Sequence, residues 1–315
     1  MNKLNKQQRR RIDHQHADKL TKQHADNTAI VVSHLGYHLI LEHQGRILSA
    51  DWRKHSSDIA CNDRVLIRTT HDEHAVVEAV LPRAHAFCKW QGRKSKVIAA
   101  NLQQVLIVIA VEPDWQENFI DRHLIAAQEA GISSAILLNK TDLLEPHNIH
   151  IINERLAPYH KLHIPVYRAS LGHAAAPTDL CQWLQGKQTL LCGQSGVGKS
   201  SLIRSLKPDT DIWIQAISAV TGHGRHTTTN LRRYPLDDET ALIDTPGVRG
   251  FALNHLGRDA IINGFPDIQP YAASCRFSDC DHQTAPDCAV LAALEKGEIA
   301  TARYHSLLQL LNEQI

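Results

Sequence analysis

"GQSGVGKSS", residues 193–201, is the stretch of sequence that decides the fold. It satisfies the pattern G-x-x-x-x-G-K-[ST] and lies between the apolar run "QTLLC" and the helix-like run "KSSLIRSLK". Glycines let backbone N–H groups turn inward around phosphate oxygens, the lysine adds positive charge beside the β- and γ-phosphates, and the serine hydroxyl can ligate Mg²⁺. The stretch therefore predicts a phosphate-binding loop between a strand and a helix. The residues expected to contact the nucleotide are Gly193, Gln194, Ser195, Gly196, Val197, Gly198, Lys199, Ser200 and Ser201.

The sequence around this loop alternates between apolar runs and helical patterns from about residue 98 to 255. The runs "QVLIVIAV", "SAILLN", "IPVYRAS" and "QTLLC" are separated by segments of helical composition. In the first such segment Ile120, Leu124 and Ala127 fall on one helical face, and Gly131 can end the helix. The alternation predicts an α/β domain, residues 98–255, in which helices cover a sheet of parallel strands.

"NKTD", residues 139–142, follows the second of these strands. Side chains at the carboxyl end of a parallel strand face the ligand crevice of such a sheet. The Asp142 carboxylate can accept hydrogen bonds from the N1–H and the exocyclic amine of guanine, which adenine does not present in that arrangement. We therefore expect Asn139, Lys140, Thr141 and Asp142 to form the base site and to select GTP.

"ALIDTPG", residues 241–247, is typical of an apolar strand that ends in Asp-x-x-Gly. Asp244 is placed to hold Mg²⁺ through water, and the Gly247 amide can approach the γ-phosphate because no side chain obstructs it. Before this strand, the segment "TGHGRHTTTN", residues 221–230, is rich in glycine and threonine and is expected to be mobile. A threonine hydroxyl there can complete the Mg²⁺ shell when γ-phosphate is present, so we expect the segment to order with GTP and loosen on hydrolysis.

Val248 stands where many GTPases carry the glutamine that orients the attacking water. Valine cannot orient water, and His226 is the best substitute in the sequence; a histidine that only faces solvent is the alternative. The incomplete apparatus predicts slow intrinsic hydrolysis, on the order of 10⁻⁴ to 10⁻³ s⁻¹, which a partner could raise by roughly 10³- to 10⁵-fold.

The base motif precedes the phosphate motif along this chain, which is the reverse of an ordinary GTP-binding protein. Since a sheet is defined by its spatial neighbours, joining the old termini and cutting the chain elsewhere leaves the same site. The order therefore predicts a circularly permuted GTPase. In such a chain the Asp-x-x-Gly segment leads directly into the C-terminal region, so its motion can be transmitted there.

Two segments of different composition precede the α/β domain. Residues 1–27 are polar, lack a periodic apolar face and are expected to form a flexible basic tail. Residues 28–85 contain several short apolar or alternating runs with turn residues between them, which favours a small β-barrel or sandwich. The basic stretch at residues 83–96, which contains one tryptophan, is typical of an interdomain connection.

"CRFSDCDHQTAPDC" places three cysteines and one histidine in the spacing C-x4-C-x-H-x5-C. Three thiolates and one imidazole fill a tetrahedral Zn²⁺ shell and leave no open position, which favours a structural role. Buried thiols beside a surface histidine are the alternative. The expected ligands are Cys275, Cys280, His282 and Cys288, within a helical zinc-binding domain at residues 256–315.

The bulk composition narrows the class of protein. The chain has 315 residues with 34 Lys and Arg against 33 Asp and Glu, so any contact with nucleic acid requires a local basic patch. The N-terminus has no apolar core and cannot act as a secretory signal. The apolar run "VLIVIAV" is far shorter than the ~20 residues of a membrane span. We expect a cytoplasmic protein that does not enter the membrane.

Taken over nearly its full length, the chain resembles the RsgA family, also called YjeQ or EngC, of GTPases that depend on the small ribosomal subunit. The residues that carry the resemblance are the permuted order of "NKTD", "GQSGVGKS" and "DTPG", the "GRHTTT" at residues 224–229, and the Cys/His spacing. The sequence departs from the family pattern at His223, at "CNDRV" (residues 61–65) and at Arg168-Ala169-Ser170, which only loosely matches the loop that contacts the guanine oxygen.

The resemblance implies an OB-fold barrel, a permuted GTPase domain and a zinc-binding helical domain, with GTP, Mg²⁺ and one Zn²⁺ per chain. It implies a monomer that acts in late assembly of the small ribosomal subunit, binds its rRNA and is stimulated by that particle. It also implies that His226 assists hydrolysis and that Thr228 senses magnesium, beside Lys199 and Asp244 in the catalytic set.

Two other functions remain open from the sequence. A nucleotide-gated adaptor that binds a protein partner and barely hydrolyses GTP is suggested by Val248. A P-loop transporter or metabolic kinase is disfavoured by Asp142, because that carboxylate selects guanine.

Overall fold

The N-terminal strands of the computed structural model form a closed barrel. The structure describes residues 27–35, 38–52, 59–71, 73–91, 94–221, 231–245, 253 and 255–313. The barrel strands are β1 (Thr28–Leu35), β2 (His38–His43), β3 (Arg46–Asp51), β4 (Arg64–His71) and β5 (His74–Val80). They pair in the order β1-β2-β3-β5-β4 and close through a β4–β1 pairing. This closure decides between the barrel and the sandwich that the sequence allowed, and a five-stranded barrel is the architecture of an OB-fold.

Apolar residues at alternate positions of each strand fill the barrel interior. Val31, Leu39, Leu41 and Val65 are completely buried in one apolar cluster. The expected N-terminal tail lies outside the described residues, apart from Asn27.

A two-stranded hairpin occupies most of the stretch that we expected to be an interdomain connection. Strands β6 (Ala86–Gln91) and β7 (Lys94–Ala100) pair antiparallel. Phe87 is 2% exposed and packs into the core of the α/β domain, while Ala99 forms a bridge to Cys61 of the barrel. The stretch thus lies between the two domains, but its strands were not predicted because its many basic residues obscured the alternating apolar positions.

The α/β domain is built on a sheet whose strands are almost all parallel. Its strands are β8 (Gln104–Ala110), β9 (Ser133–Asn139), β10 (Val166–Arg168), β11 (Gln188–Cys192), β12 (Arg232–Pro235) and β13 (Ala241–Asp244). Their order is β10-β9-β8-β11-β13-β12, and only β12 runs antiparallel to its neighbours. Every residue of β8 is buried, as expected for a strand that is covered by helices on both faces.

Five helices in the described part of the chain pack on this sheet, and the last of them also packs against the barrel. They are α1 (Glu117–Glu129), α2 (Ile149–Lys161), α3 (Thr178–Leu184), α4 (Lys199–Leu206) and α5 (Thr210–Thr221). In α1 the predicted face is inward: Ile120 and Ala127 are buried and Leu124 is partly buried. Gly131 follows the helix with φ +67°, a conformation that glycine adopts without strain. The predicted α/β class is confirmed, although α5 and β12 were not foreseen.

Strand β12 joins the α/β sheet to the barrel in one continuous 11-stranded sheet. Its Arg232 pairs with Asp244 of β13 on one side and with Ser33 of β1 on the other. The next residue, Arg233, is 2% exposed, and its guanidinium donates to Glu42 at 2.5 Å and to Asn62 at 3.0 Å. Two consecutive arginines do not predict a buried strand, because a buried guanidinium needs hydrogen-bond partners. Here the partners are a carboxylate and an amide of the barrel, which the local sequence does not reveal.

The C-terminal region consists of four helices that pack onto the α/β domain. They are α6 (Arg258–Asn263), α7 (Gln269–Ala272), α8 (Ala289–Glu295) and α9 (Thr301–Asn312). Arg303 of α9 is 1% exposed, forms an ion pair with Asp121 of α1 and donates to both carboxylate oxygens of Asp267 at 2.7 and 2.9 Å. Tyr159 of α2 donates to the same Asp121 at 2.9 Å. Because a buried charge that loses its partner is strongly destabilising, this network fixes α9 on the sheet domain. None of the described helices combines the length and the apolar character needed to cross a bilayer.

Candidate nucleotide and metal sites

The phosphate-loop candidate runs from the carboxyl end of β11 to the start of α4. Gly198 has φ +103°, and a Cβ placed on it would lie 2.0 Å from Asn139 Nδ2. A Cβ on Gly193 would lie 2.6 Å from the Val108 carbonyl oxygen. Both positions therefore require glycine, because any side chain would push the loop away from the two strands beside it.

Lys199, the first residue of α4, is folded back under the loop. Its Nζ donates to the carbonyl oxygens of Gly193 at 2.6 Å and Gln194 at 3.1 Å. Burial lowers the pKa of Lys199, and the nearby Asp244 carboxylate opposes that shift. Ser200 follows it at the exposed helix N-terminus. A positive charge held in a nearly dry position is suited to an anion such as a phosphate.

Asn139 joins the base motif to the phosphate loop. Its side-chain Nδ2 donates to the Val197 carbonyl oxygen at 2.9 Å, and its Oδ1 accepts from the Leu171 N–H at 3.1 Å. Asn139 ends β9, which is separated from the phosphate-loop strand β11 only by β8, and all three strands run parallel. The two motifs therefore meet at one edge of one sheet, although the chain reaches them in the reverse order.

The rest of the base motif forms a short 3-10 turn at Thr141–Leu143. Lys140 precedes it in the left-handed conformation with φ 58°. The Asp142 side chain is 35% exposed, and its carboxylate lies 3.6 Å from His173 Nε2. An accessible carboxylate at this edge is free to accept two donors from a guanine ring.

Ser170 and Leu171 contact the base motif. Ser170 lies in the stretch that loosely matches the guanine-contacting loop of the family pattern, whereas Leu171 was not expected from the sequence. Ser170 Oγ accepts from the Asp142 N–H at 3.0 Å and lies 2.8 Å from Thr141 Oγ1. Arg168, which the loose match to the family pattern had included, instead donates to Asn153 of α2. The available signal was positional: these residues follow β10, whose carboxyl end lies beside that of β9.

Asp244 ends β13 beside the phosphate loop. Its Oδ1 is buried and has no hydrogen-bond partner in the part of the chain that the structure describes. Burial raises the pKa of this carboxyl, and the Lys199 ammonium opposes the shift. An unpartnered buried carboxylate oxygen beside a phosphate loop fits a hydrated Mg²⁺, which takes oxygen ligands and keeps several waters.

Several expected site residues lie outside the described residues: His226, Thr228 and Gly247. Val248, which replaces the usual glutamine, and His223, which departs from the family pattern, also lie there.

The four predicted metal ligands come together in the C-terminal region. The ligand atoms of Cys275, Cys280, His282 and Cys288 all lie within 4.8 Å of one another. Three of the four residues are buried. A closed set of three thiols and one imidazole at this separation fits a tetrahedral Zn²⁺.

Outer contacts hold this cluster in place. Tyr304 of α9 donates to the His282 carbonyl oxygen at 2.8 Å, and the Asp281 carboxylate accepts from the N–H groups of Gln283, Thr284 and Ala285. Cys288 caps α8, its sulfur accepting from the Leu291 N–H at 3.5 Å. Such contacts orient metal ligands before the metal binds.

Comparison with known sequences identifies close relatives. The sequence profile of the RsgA GTPase family matches residues 80–254. The chain is 48% identical over 314 residues to the small ribosomal subunit biogenesis GTPase RsgA of Dichelobacter nodosus, covering 100% of this chain and 99% of that protein. It is 40% identical over 271 residues to the protein of the same name from Burkholderia mallei (strain SAVP1), covering 85% and 86%.

Comparison with solved structures agrees. YjeQ from Thermotoga maritima superposes with a TM-score of 0.69 at 27% identity, covering 91% of this chain and 98% of that chain. YloQ, described as a circularly permuted GTPase, superposes with a TM-score of 0.65 at 22% identity, covering 93% and 97%. Both matches support the fold, including its permuted order of strands. At 22% identity, the second match supports nothing beyond the fold.

Proposed function

The chain belongs to the RsgA GTPase family and is a GTP hydrolase, and on that premise we propose that it acts in late maturation of the small ribosomal subunit. In this proposal the subunit stimulates hydrolysis of GTP to GDP and phosphate, and the protein binds rRNA. The observation that supports it best is the Asn139 bridge, which joins the base motif to the phosphate loop at a single crevice. The relatives named above carry the subunit in their names, which supports the choice of partner.

We assign the nucleotide contacts as follows. Asp142 accepts the N1–H and the amine of guanine, and Ser170 holds the turn that presents this carboxylate. The loop amides surround the β-phosphate, and Lys199 moves its Nζ from two carbonyl oxygens to the β- and γ-phosphates. Mg²⁺, when bound, would neutralise phosphate charge beside Ser200, Thr228 and Asp244. The Gly247 amide contacts the γ-phosphate, and His226 orients the attacking water.

The arrangement of parts follows from the same proposal. Residues 1–27 form a basic tail, residues 28–85 the barrel, residues 98–255 the GTPase domain, and residues 256–315 a helical domain with one Zn²⁺. OB-fold barrels commonly bind nucleic acids on one face, which supports an rRNA contact through the barrel. We further propose that the protein is a cytoplasmic monomer.

The Asp142→Asn variant tests the base assignment. We expect its affinity for GTP to fall about 10²- to 10⁴-fold, because two hydrogen bonds to a charged acceptor are lost at about 1.5–3 kcal/mol each. Xanthosine triphosphate should bind better to this variant than to the wild type, since it presents a carbonyl oxygen where guanine has its amine. Competition against a fluorescent guanine nucleotide measures both effects.

Asp238→Asn is the matched control, because Asp238 lies in the exposed turn between β12 and β13, at the opposite end of the sheet. If Asp142→Asn bound GTP as tightly as the wild type, the guanine base would have to bind elsewhere on the protein.

Turnover with and without purified small subunits tests the proposed partner. We expect the subunits to raise the single-turnover rate roughly 10³- to 10⁵-fold at low salt, as partners do for GTPases with an incomplete site. His226→Ala should lose most of this stimulated rate while its GTP affinity stays unchanged. Absence of stimulation would remove the ribosomal claim, and an undiminished rate in His226→Ala would remove only the role of that histidine.

A further inference from the structure

Strand β12 lies between the barrel and the strand that carries Asp244. Asp244 pairs with Leu191 of the phosphate-loop strand β11 on one side and with Arg232 of β12 on the other. β12 is only four residues long, and its turn to β13 lies at the end away from Asp244. The position of Asp244 relative to the phosphate loop therefore depends on what holds β12 at its Arg232 end.

The barrel and α5 hold this end of β12 through its backbone. Ser33 of β1 pairs with Arg232, and the Ser33 hydroxyl donates to the Leu231 carbonyl oxygen at 2.9 Å. The Trp213 indole N–H of α5 donates to the Arg233 carbonyl oxygen at 3.3 Å. Since α5 also packs against β3, both sets of contacts tie β12 to the barrel.

The Arg233 side chain adds a buried charge to this attachment. It is 2% exposed, and its guanidinium donates to Glu42 of β2 at 2.5 Å and to Asn62 Oδ1 at 3.0 Å. A buried charge that loses its partners is strongly destabilising, so Arg233 fixes the position of β12 relative to the barrel. Arg233 pairs with Ile243, the residue before Asp244, and successive residues of a strand face opposite sides of the sheet. Arg233 therefore acts on Asp244 through the backbone of β12 and β13 rather than by touching it.

Asn62 joins this arginine to the hairpin of β6 and β7. Its Nδ2 donates to the Ala100 carbonyl oxygen at 2.9 Å, so both ends of its side-chain amide are used. The residue is 3% exposed and has φ 66°, a conformation that glycine adopts without strain. Glycine at this position would therefore remove the side-chain contacts and keep the course of the backbone.

We propose that Arg233 is a positioning residue for the Mg²⁺ site of this GTPase. Its bonds to Glu42 and Asn62 hold β12 on the barrel, and β12 holds the strand end that presents Asp244 to the metal. The path is continuous, because the side-chain bonds of Arg233 lead directly into the backbone ladder of β12 and β13. The barrel is thus part of the scaffold of the nucleotide site. The inference rests on the proposed function, since it needs Asp244 to act on Mg²⁺.

Magnesium dependence of nucleotide binding tests the inference in the full-length chain. Arg233→Met removes the guanidinium, and Asn62→Gly removes one of its acceptors. We expect the Mg²⁺ concentration that half-saturates the complex with a fluorescent, non-hydrolysable GTP analogue to rise roughly tenfold in Arg233→Met, because loss of the groups that orient a metal ligand lowers metal affinity. Asn62→Gly should show a smaller rise of about threefold, because Arg233 keeps its charged partner Glu42.

Nucleotide affinity in excess chelator separates the metal site from the rest of the nucleotide site. Both variants should bind the analogue within about twofold of the wild type under this condition, because the base motif and the phosphate loop keep their own contacts. Arg68→Met is the matched control, since Arg68 is a barrel arginine whose partner, Glu78, also belongs to the barrel. It should leave the Mg²⁺ dependence unchanged. If Arg233→Met fails to fold, Asn62→Gly decides the question, because its backbone suits glycine.

Hydrogen exchange without nucleotide or metal shows where the structure loosens. We expect the amides of β12 and of Ala241–Asp244 to exchange faster in both variants, while those of β8 and β9 keep wild-type protection. This local pattern distinguishes a displaced strand from a protein that is unstable as a whole.

Three results would overturn the inference. They are an unchanged Mg²⁺ dependence in the folded variants, an equal loss of affinity with Mg²⁺ and in chelator, and unchanged exchange of the β12 amides. Failure of the wild-type chain to bind the GTP analogue would instead remove the proposed function and the inference with it.

Discussion

Lys199→Ala is expected to lose roughly 10²- to 10³-fold in the rate of GTP hydrolysis and to keep its fold. The loss follows because Lys199 supplies a fixed positive charge in a nearly dry position, where a charge stabilises developing negative charge far better than water does. Single-turnover hydrolysis measures the rate, and thermal unfolding without nucleotide measures the fold. Ser200→Ala should show the same pattern, since we propose that its hydroxyl, at an exposed helix terminus, ligates Mg²⁺.

The fold should survive because the buried charge of Lys199 lowers the folding stability of the nucleotide-free protein. Burial lowers the pKa of Lys199, so the unfolded chain binds its proton more tightly than the folded chain does. Between the lowered and the ordinary pKa, folding stability therefore rises with pH, and at neutral pH the charge costs stability. Its removal should change the free energy of unfolding by no more than about 1 kcal/mol.

Lys207→Ala is the matched control, because Lys207 follows the same helix and pairs with Asp209 at its far end. Its rate should match the wild type. Unfolding of Lys199→Ala, or undiminished hydrolysis by it, would contradict the assignment of the phosphate loop.

Burial disfavours the charged form of Asp244 as it does that of Lys199, but the charge is negative. Burial raises the pKa of this carboxyl, and one of its oxygens is buried without a hydrogen-bond partner among the described residues. The charged forms of Lys199 and Asp244 both destabilise the folded protein, and each charge opposes the pKa shift of the other. Two such charges in one crevice are typical of a site that a ligand completes.

Much of this site could be predicted from sequence because its motifs are local. The glycines of the phosphate loop, the base motif and the metal ligands each form a short pattern whose chemistry needs those residue types. The circular permutation could also be predicted, since parallel strands bring their carboxyl ends together in whatever order the chain reaches them. The placement of Asn139 against Val197 agrees with that reasoning.

The missed features depend on distant partners. The Arg232-Arg233 pair becomes a strand only because Glu42 and Asn62, far away in the sequence, receive the second guanidinium. The basic stretch before the sheet domain becomes a hairpin because Phe87 finds a pocket in the core of that domain. Leu171 lacks a motif of its own and reaches Asn139 only through the pairing of β10 with β9. Local propensity does not encode such contacts.

Loss of the metal should unfold one part of the molecule and leave the sheet domain intact. Protein purified without added zinc should contain about one equivalent of Zn²⁺, and Cys288→Ala should retain far less. Cys288 both belongs to the ligand cluster and caps α8, so its loss should expose the amides of Ala289–Glu295 to hydrogen exchange. Zinc binding contributes about 10–16 kcal/mol to folding in isolated zinc-finger peptides, which is ample to hold so short a helix.

Helix α9 should behave differently from α8, because Arg303 anchors it to Asp121 and Asp267 without help from the cluster. We therefore expect its amides, and those of β8 and β11, to keep their protection in Cys288→Ala and after treatment with a strong chelator. Cys181→Ala removes a cysteine outside the cluster and should alter neither the zinc content nor the exchange pattern. Full zinc retention by Cys288→Ala would exclude Cys288 as a ligand. Unchanged protection of α8 after the metal is lost would show that hydrophobic packing rather than the metal holds this region.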